Sequence, residues 1–155
     1  MTDPILRSMT RVDFGALARL HAECFPDDAW QITDFMELLA IPGASGHIAG
    51  ADSAHKIDGF ILDLITQDEA EILTLGVAPA MRRHGIGRKL IDDLARRARK
   101  KGARRLVLEV ATDNNAALRL YESSGFTPLG QRPGYYRRKN SNIDAFILGL
   151  SLGGL

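Results

Sequence analysis

The sequence has little of several features that define whole classes of protein. Its 155 residues contain one cysteine, Cys24, so no disulfide can form within the chain. No apolar run is long enough to span a bilayer, and the opening residues MTDPILRSMTRVDF lack the basic and apolar regions of a signal peptide. The formal net charge of +1 gives no overall attraction to nucleic acid or lipid. We therefore expect a cytoplasmic protein without a membrane partner.

The composition is that of an ordinary globular protein, with 45% hydrophobic and 25% charged residues. A chain of this length buries about 68–70% of the surface that it exposes when unfolded, which is enough for a core without disulfides or metals. No internal repeat or long linker interrupts it, so we expect one domain over residues 1–155. The histidines and Cys24 lack the spacing of metal ligands, and we expect no metal.

Hydrophobic periodicity predicts an alternation of strands and helices. The predicted strands are PILRSM, the hairpin of HIAGAD and GFILDLI, and then AEILTLGV, RRLVLEVA and AFILGL. Helices are predicted after an N-cap at Asp13, from Thr33 or Asp34, after Gly85, and over NNAALRLYESSGF. The helix after Gly85 has an apolar stripe and a glycine, Gly102, at its C-terminal cap. This order predicts a mixed α/β fold.

The segment MRRHGIGRKL, residues 81–90, joins a predicted strand to a predicted helix and is both glycine-rich and basic. The unpartnered N–H groups and the dipole of a helix N-terminus attract anions. Gly85 and Gly87 would let a phosphate approach the backbone, and three arginines add positive charge. The spacing matches neither a P-loop nor the three-glycine dinucleotide fingerprint. The residues alone therefore leave two interpretations, an anion cradle and an ordinary turn with solvated arginines.

The combination of motifs resembles one enzyme family. Arg82-x-x-Gly85-x-Gly87 after ILTLGVAP resembles the acyl-CoA pyrophosphate loop of the GCN5-related N-acetyltransferases, and LVLEV followed by NNAALRLYESSGF is similar to the second half of that motif set. Within the family, LHAECFPDDAW, ALRLYESSGF and GYYRRKNSNIDAFILGL resemble the RimI type, which acetylates the N-terminal amine of a small-subunit ribosomal protein. One residue departs from that type, because Ile143 precedes Asp144 where an acidic residue is usual.

The resemblance implies an α/β fold with a mixed, mostly antiparallel central sheet flanked by helices. Two of its strands would splay apart to admit acetyl-CoA, whose pantetheine arm would bond the backbone at Leu75 and Val77. The implied cofactor-binding residues are Leu75, Gly76, Val77, Arg82, Arg83, His84, Gly85, Ile86, Gly87, Arg88, Asn114 and Tyr121. By residue type alone, Asn114 could equally be a helix cap.

The same resemblance implies the chemistry, which is attack of an amine on a thioester. An N-terminal α-amine has a pKa of about 7.7–8.0 and a lysine side chain one of about 10.4, so a protein N-terminus needs only a modest base. The resemblance implies Glu109 as that base and Tyr121 as the acid that protonates the departing thiolate, in direct transfer. By residue type alone, Glu109 could be exposed or salt-bridged and Tyr121 could be a core aromatic.

Aromatic residues mark the acceptor side of the implied cleft. Trp30, Tyr135 and Tyr136 belong to segments that edge it in this family. Adjacent residues of a strand point to opposite faces, so only one of the two tyrosines can line the cleft. The acceptor that the resemblance implies is a protein N-terminus, that of a ribosomal protein. A small amine such as a polyamine or an aminoglycoside is the alternative.

Two further interpretations compete on the residues alone. His21 and Cys24 lie three residues apart on one predicted helix, which permits a covalent cysteine mechanism, although Cys24 falls on the apolar face. The basic stretch RRARKKGARR, residues 96–105, permits an RNA- or ribosome-docking module on the same scaffold. Its basic residues fall mainly on the polar side of the predicted helix, which favours a solvated face, so direct nucleic-acid binding is not expected.

Overall fold

The computed structural model describes residues 4–51 and 56–153, which contain seven strands and four α-helices. The strands are β1 (Ile5–Ser8), β2 (Ala44–Gly50), β3 (Gly59–Ile65), β4 (Glu69–Val77), β5 (Arg105–Ala111), β6 (Thr127–Tyr136) and β7 (Ile143–Ser151). The helices are α1 (Phe14–Cys24), α2 (Ile32–Leu39), α3 (Ile86–Lys100) and α4 (Asn115–Ser123). The predicted hairpin is β2 and β3, and residues 52–55 of its loop lie outside the described residues. No helix in the described ranges is long and apolar enough to cross a membrane.

The strands form one open sheet in the order β1-β2-β3-β4-β5-β7-β6. Strands β4 and β5 run parallel, and the other neighbouring pairs are antiparallel. Helices α1 and α2 cover one face, where Leu17 and Phe35 belong to the same core as Phe60. Helices α3 and α4 cover the other face, where Leu90 shares a core with Leu106. The predicted mixed, mostly antiparallel α/β fold is confirmed.

Strands β4 and β5 separate halfway along the sheet. They pair from Glu69 to Ile72 on β4 and from Arg105 to Leu108 on β5. Beyond that point β4 stays paired with β3 as far as Val77, while β5 stays paired with β7. The β3–β4 register skips Leu73, which makes a β-bulge, and a bulge bends the strand that carries it. The predicted splay is therefore present as a gap in the middle of the sheet.

Asp13 immediately precedes α1, as predicted, but its carboxylate does not cap that helix. It accepts hydrogen bonds from Arg7 Nη1 at 2.9 Å and Nη2 at 2.8 Å, and from the Thr10 N–H at 2.9 Å. The Arg7 guanidinium lowers the pKa of Asp13 to about 2. The Arg7 pair joins opposite charges through two hydrogen bonds, whereas a cap bond would join the carboxylate to a neutral backbone N–H, which explains why the carboxylate turns to Arg7.

The second helix starts earlier than predicted, at Ile32 rather than at Thr33 or Asp34. Gln31 is its N-cap, and the Asp34 carboxylate accepts a hydrogen bond from the Gln31 N–H at 2.7 Å. Asp34 thus occupies the third helical position of a capping box, a role that places the helix start before it.

The hydrophobic pattern does not predict strand β6. Only the tyrosine pair at its end is expected in a strand. Its sequence TPLGQRPGYY holds two prolines and two glycines, and almost all of it is exposed. It lies at the edge of the sheet, paired with β7 alone, and its register shifts twice. An edge position tolerates proline because one side of the strand needs no ladder hydrogen bonds.

Candidate active site

A cavity of about 310 Å³ lies where β4 and β5 separate. Its walls come from both strands, from the connection between α1 and α2, and from α4. The predicted site residues that line it are Trp30, Leu75, Glu109, Asn114, Tyr121 and Tyr136. The structure therefore brings the two predicted proton-transfer residues and part of the predicted acceptor cleft into one space.

Glu109 and Tyr121 reach the cavity from opposite faces of the sheet. Leu108 and Val110 of β5 belong to the core beneath α3, so Glu109 between them points to the face covered by α1 and α2. Tyr121 of α4 belongs to the core beneath α3, on the other face. The gap between the strands is what lets side chains from both faces line the same cavity.

The two carboxylate oxygens of Glu109 have different surroundings. Oε1 lies 2.9 Å from Nη2 of Arg132, a residue of β6. Oε2 is buried and has no hydrogen-bond partner among the described residues. A buried carboxylate oxygen without a partner is unusual, because leaving it unsatisfied costs about 1–3 kcal/mol. Oε2 is therefore the atom of this side chain that is free to accept a hydrogen bond or a proton.

Tyr121 is buried, with 5% of the residue exposed, and its ring packs edge-to-face on Phe126 at 5.3 Å between centroids. Burial raises the pKa of Tyr121 above its usual value of 10.0, so the hydroxyl keeps its proton at neutral pH. The side chain is thus a core aromatic, as its residue type suggests, whose polar end lies at the cavity.

The last residues of β4 form one lip of the gap. The Leu75 side chain is buried in the core beneath α3, and a Cβ atom at Gly76 would lie 2.5 Å from the Phe60 ring. The Val77 carbonyl accepts hydrogen bonds from Arg82 Nε at 3.2 Å and from Cys24 Sγ. The side chains at these positions are fixed by packing, which leaves backbone as the part of the lip that can contact a ligand.

The connection from β4 to α3 has the backbone of an anion site. Gly85 precedes α3 in the left-handed conformation, with φ +79°. The first N–H of α3 that bonds within the helix is that of Lys89, which donates to the Gly85 carbonyl at 3.0 Å. The N–H groups of Ile86, Gly87 and Arg88 therefore have no acceptor within the helix. The helix dipole adds positive potential at the same end. The strand, turn and helix are as predicted, and anion binding there stays a prediction.

Two of the arginines in this connection are bonded within the protein. The exposed side chains are those of Arg82, Arg83, His84 and Arg88. Arg82 is held by the Val77 carbonyl, and Arg88 Nε pairs with Asp92 of the next helical turn at 3.1 Å. Arg83 has φ +66°, which is uncommon for a residue with a Cβ atom.

Gly87 and Ile86 both have packing roles, of which the helical period predicted that of Ile86 and not that of Gly87. A Cβ atom at Gly87 would lie 2.7 Å from Leu120 Cδ2, so the missing side chain lets α4 approach α3. Ile86 is 3% exposed and its side chain belongs to the core. The interpretation that Gly87 mainly clears space for a phosphate is therefore incomplete, because α4 occupies the space where its side chain would be.

Asn114 lies directly before α4 and lines the cavity. Its Oδ1 accepts a hydrogen bond from the Ala117 N–H at 3.1 Å, so it is the helix N-cap that its residue type permits. Its amide nitrogen is not needed for that role. A contact between Asn114 and a cofactor stays a prediction.

Only one of the two adjacent tyrosines lines the cavity. Tyr136 lines the cavity, and its hydroxyl donates to the Glu109 carbonyl at 3.4 Å. Burial raises the pKa of Tyr136 to about 12. Tyr135 is 47% exposed and lies under the guanidinium of Arg132, 4.7 Å from it. Trp30 lines the cavity and also packs on the core.

Arg138 joins three connections around the cavity, a role that no sequence pattern indicated. It lies in the β6–β7 connection and is bonded to Asp28 at 3.0 Å, in the α1–α2 connection, and to Asp113 at 3.2 Å, in the β5–α4 connection. Its ion pairs and its position over the Tyr136 ring hold this side of the cavity together. These partners lie far apart in the sequence, so only the fold brings them together.

His21 and Cys24 do not form a nucleophile and base. Both ring nitrogens of His21 have other partners, the Trp30 N–H at 3.0 Å and Thr74 Oγ1 at 3.0 Å. Cys24 Sγ donates to the Val77 carbonyl at 3.4 Å, and burial raises the pKa of the thiol. A thiol whose pKa is raised and whose neighbouring histidine is bonded elsewhere is a poor nucleophile, which argues against the covalent interpretation.

The basic stretch of residues 96–105 is largely paired within the protein. The partners are Asp93 for Arg96, Asp63 and Asp93 for Arg97, the Leu152 carbonyl for Arg99 and Glu69 for Arg105. Arg97 is partly buried, and its Nη2 lies 2.9 Å from an oxygen of fully buried Asp63. These contacts give several of the arginines a structural role and support the interpretation as a paired, solvated face.

An open mixed sheet that splits between two parallel strands, with a cavity in the gap, is the arrangement of the GNAT acyltransferases. The acetyltransferase (GNAT) family matches this chain over residues 14–126, and the chain belongs to that family. Among its relatives, the N-alpha-acetyltransferase RimI of Mycobacterium tuberculosis is 39% identical over 153 residues, which are 95% of this chain and 92% of that one.

Two solved structures are similar over nearly the whole chain. The ribosomal-protein-S18-alanine N-acetyltransferase of Escherichia coli superposes with a TM-score of 0.86 and 26% identity, over 98% of this chain and 96% of that one. Arabidopsis thaliana NAA60, solved in complex with acetyl-CoA, superposes with a TM-score of 0.82 and 22% identity, over 97% and 99%. The first similarity extends to sequence, and the second concerns the fold.

Proposed function

We propose that this protein transfers the acetyl group of acetyl-CoA to the N-terminal α-amine of a protein, and that the acceptor is a ribosomal protein. The observation that carries the proposal is the gap between β4 and β5, into which Glu109 and Tyr121 reach from opposite faces of the sheet. Two reactants that approach from opposite faces can meet there, each beside its own proton-transfer group.

The residues of the cleft fit acetyl-CoA at both of its ends. Acetyl-CoA, when bound, supplies the acetyl group as a thioester. The backbone of residues 75–77 would hold the pantetheine arm along the free lip of β4, and the N–H groups at the start of α3 would hold the pyrophosphate. Arg83 is exposed beside that helix start and would add positive charge to it.

Glu109 and Tyr121 divide the proton transfers between them. Glu109 Oε2, which has no partner among the described residues, would take the proton from the attacking amine. Tyr121 would donate its proton to the departing sulfur, and its raised pKa keeps that proton in place until then. Transfer is direct in this scheme, because Cys24 bonds to the Val77 carbonyl and both ring nitrogens of His21 have other partners.

The nature of the acceptor rests on two relatives. One is named an N-alpha-acetyltransferase and the other a ribosomal-protein-S18-alanine N-acetyltransferase. An α-amine is partly neutral at physiological pH, so a single carboxylate is a sufficient base for it. We expect the reaction to take place in the cytoplasm, where ribosomal proteins are made.

The test in cells is the mass of every ribosomal protein from a strain that lacks this gene. We expect one protein to be lighter by one acetyl group, with the change at its N-terminus, and to regain the acetyl group when the wild-type gene is restored. A gene carrying Glu109→Gln is the matched control and should not restore it. The ribosomal assignment would be contradicted if every ribosomal protein that carries an N-terminal acetyl group in the wild type still carried it in the strain without the gene.

A further inference from the structure

His21 is a buried polar side chain beside the cleft. It has no role in the proposed proton transfers. It is 1% exposed and stacks on Trp30 with 5.0 Å between ring centroids. Phe25, Phe35 and Phe60 surround it at similar distances. Burial lowers the pKa of His21 to about 4, so the ring is neutral at physiological pH. A neutral imidazole has one donor nitrogen and one acceptor nitrogen.

The hydrogen bonds of His21 determine which nitrogen carries the proton. The Trp30 backbone N–H, which can only donate, lies 3.0 Å from Nδ1. Nδ1 is therefore the acceptor, and Nε2 carries the hydrogen. Nε2 lies 3.0 Å from Thr74 Oγ1, so the ring donates and the threonine oxygen accepts.

This direction leaves the hydroxyl hydrogen of Thr74 available. Thr74 makes no other side-chain hydrogen bond within residues 4–51 and 56–153. It lines the cavity, and its register partner on β3 is Leu62, which belongs to the core beneath α1 and α2. Its side chain therefore lies on the same face of the sheet as Glu109, where the proposed acceptor enters. Because Thr74 Oγ1 accepts the hydrogen bond from His21, the Thr74 hydroxyl can donate its own hydrogen into the cleft.

We propose that Thr74, oriented by His21, is a positioning residue that donates a hydrogen bond to the first carbonyl oxygen of the acceptor peptide. The inference rests on the proposed function, because it assumes a peptide N-terminus. The first carbonyl of a peptide is covalently close to the amine, so fixing its oxygen also fixes the amine relative to Glu109. A polyamine has no carbonyl oxygen, so this hydrogen bond favours peptides over such amines.

The test pairs one enzyme variant with one substrate variant. The variant Thr74→Val keeps the shape of the side chain and removes the hydroxyl. The substrate variant is a peptide whose first amide bond is replaced by an (E)-alkene, which removes the carbonyl oxygen. For each enzyme, kcat/KM on the natural peptide is divided by kcat/KM on the alkene peptide. This ratio should be about tenfold larger for the wild type than for Thr74→Val, since one hydrogen bond accounts for about that factor. The missing amide N–H of the alkene affects both enzymes alike and cancels.

Two further variants control for structural effects. Thr74→Ser keeps a hydroxyl and should restore much of the preference for the natural peptide. Thr66→Val is the matched control, because Thr66 bonds to the Glu69 carbonyl at the β3–β4 turn, away from the cleft. It should leave the preference unchanged. The melting temperature of each variant shows whether a loss of rate reflects a loss of folding.

A measurement on the protein without substrate tests the direction of the His21 hydrogen bond. Nitrogen-15 NMR of the His21 ring should show the Nε2–H form in the wild type. The Nδ1–H form would overturn the proposal. An equal loss of kcat/KM on both peptides in Thr74→Val would also overturn it, because the hydroxyl would then act elsewhere. If the wild type acetylates neither peptide, the proposed function itself fails, and this shows in the wild type alone.

Discussion

At the scale of single residues, the proposed chemistry depends on Glu109. Replacing it with Gln keeps the size of the side chain and removes its ability to take a proton. We expect kcat/KM for a peptide acceptor to fall by about 100-fold or more, which is typical of a lost general base. The loss should be greatest below about pH 8, where the amine is mainly protonated, and smaller above it. The KM for acetyl-CoA should stay nearly unchanged.

The same substitution on α4 provides the control for Glu109→Gln. Glu122 is exposed and does not line the cavity, so Glu122→Gln should keep both the rate and its pH dependence. A Glu109→Gln enzyme whose pH–rate profile matched that of the wild type would remove Glu109 from the role of base.

Sequence reasoning reached some site residues and not others, for physical reasons. Glu109 and Tyr121 follow motifs that are local in the chain, so a resemblance could locate them. Arg132 was missed because it belongs to β6, an edge strand without a strand-like pattern. The bond between Thr74 and His21 joins residues 53 positions apart, and no spacing rule connects a helix to a strand at that distance.

At the scale of elements, Gly87 controls how closely α3 and α4 pack. An added methyl group at Gly87 would overlap the Leu120 side chain, at a cost of about 1–3 kcal/mol that exceeds the gain of up to about 1 kcal/mol from helix propensity. We expect Gly87→Ala to lower the free energy of unfolding by about 1 kcal/mol, measured by urea denaturation. In the double variant with Gly87→Ala and Leu120→Ala, the free energy of unfolding should fall by less than the sum of the decreases in the two single variants. Strict additivity would show that the two positions do not touch.

Element prediction succeeded where the pattern of burial is regular. In α3 the apolar positions from Ile86 to Ala98 are buried as the helical period predicts, and Gly102 ends the helix region with φ +88°. The period fails in β6, because a strand exposed on both faces has no alternation to detect. The start of α1 was placed correctly, but the role of Asp13 depends on Arg7 of β1, which local rules do not include.

At the scale of the whole molecule, His21 connects stability to pH. Its pKa is about 4 in the folded protein and has the usual value of 6.5 when unfolded, so the unfolded chain binds more protons between these values. Stability should therefore fall as the pH drops from about 6.5 to 4, by up to about 3 kcal/mol from this group. His47, whose pKa burial also lowers, acts in the same direction.

The free energy of unfolding measured against pH tests this coupling. His21→Gln should reduce the slope between about pH 4 and 6.5, because the titrating group is gone. Leu20→Ala, also in α1, destabilises the protein without removing a titrating group and should keep the wild-type slope. A slope that is the same in the wild type and in His21→Gln would mean that other groups cause the acid sensitivity.

The central claim concerns the whole enzyme, in which the split sheet brings an acyl donor and an α-amine together from opposite faces. The most direct measurement is CoA release by the purified protein with acetyl-CoA and two acceptor sets, peptides with ribosomal-protein N-termini and a panel of polyamines and aminoglycosides. We predict turnover on the peptides that disappears when their N-termini are blocked and persists when only their lysine side chains are blocked. Turnover on the small amines alone would contradict the account.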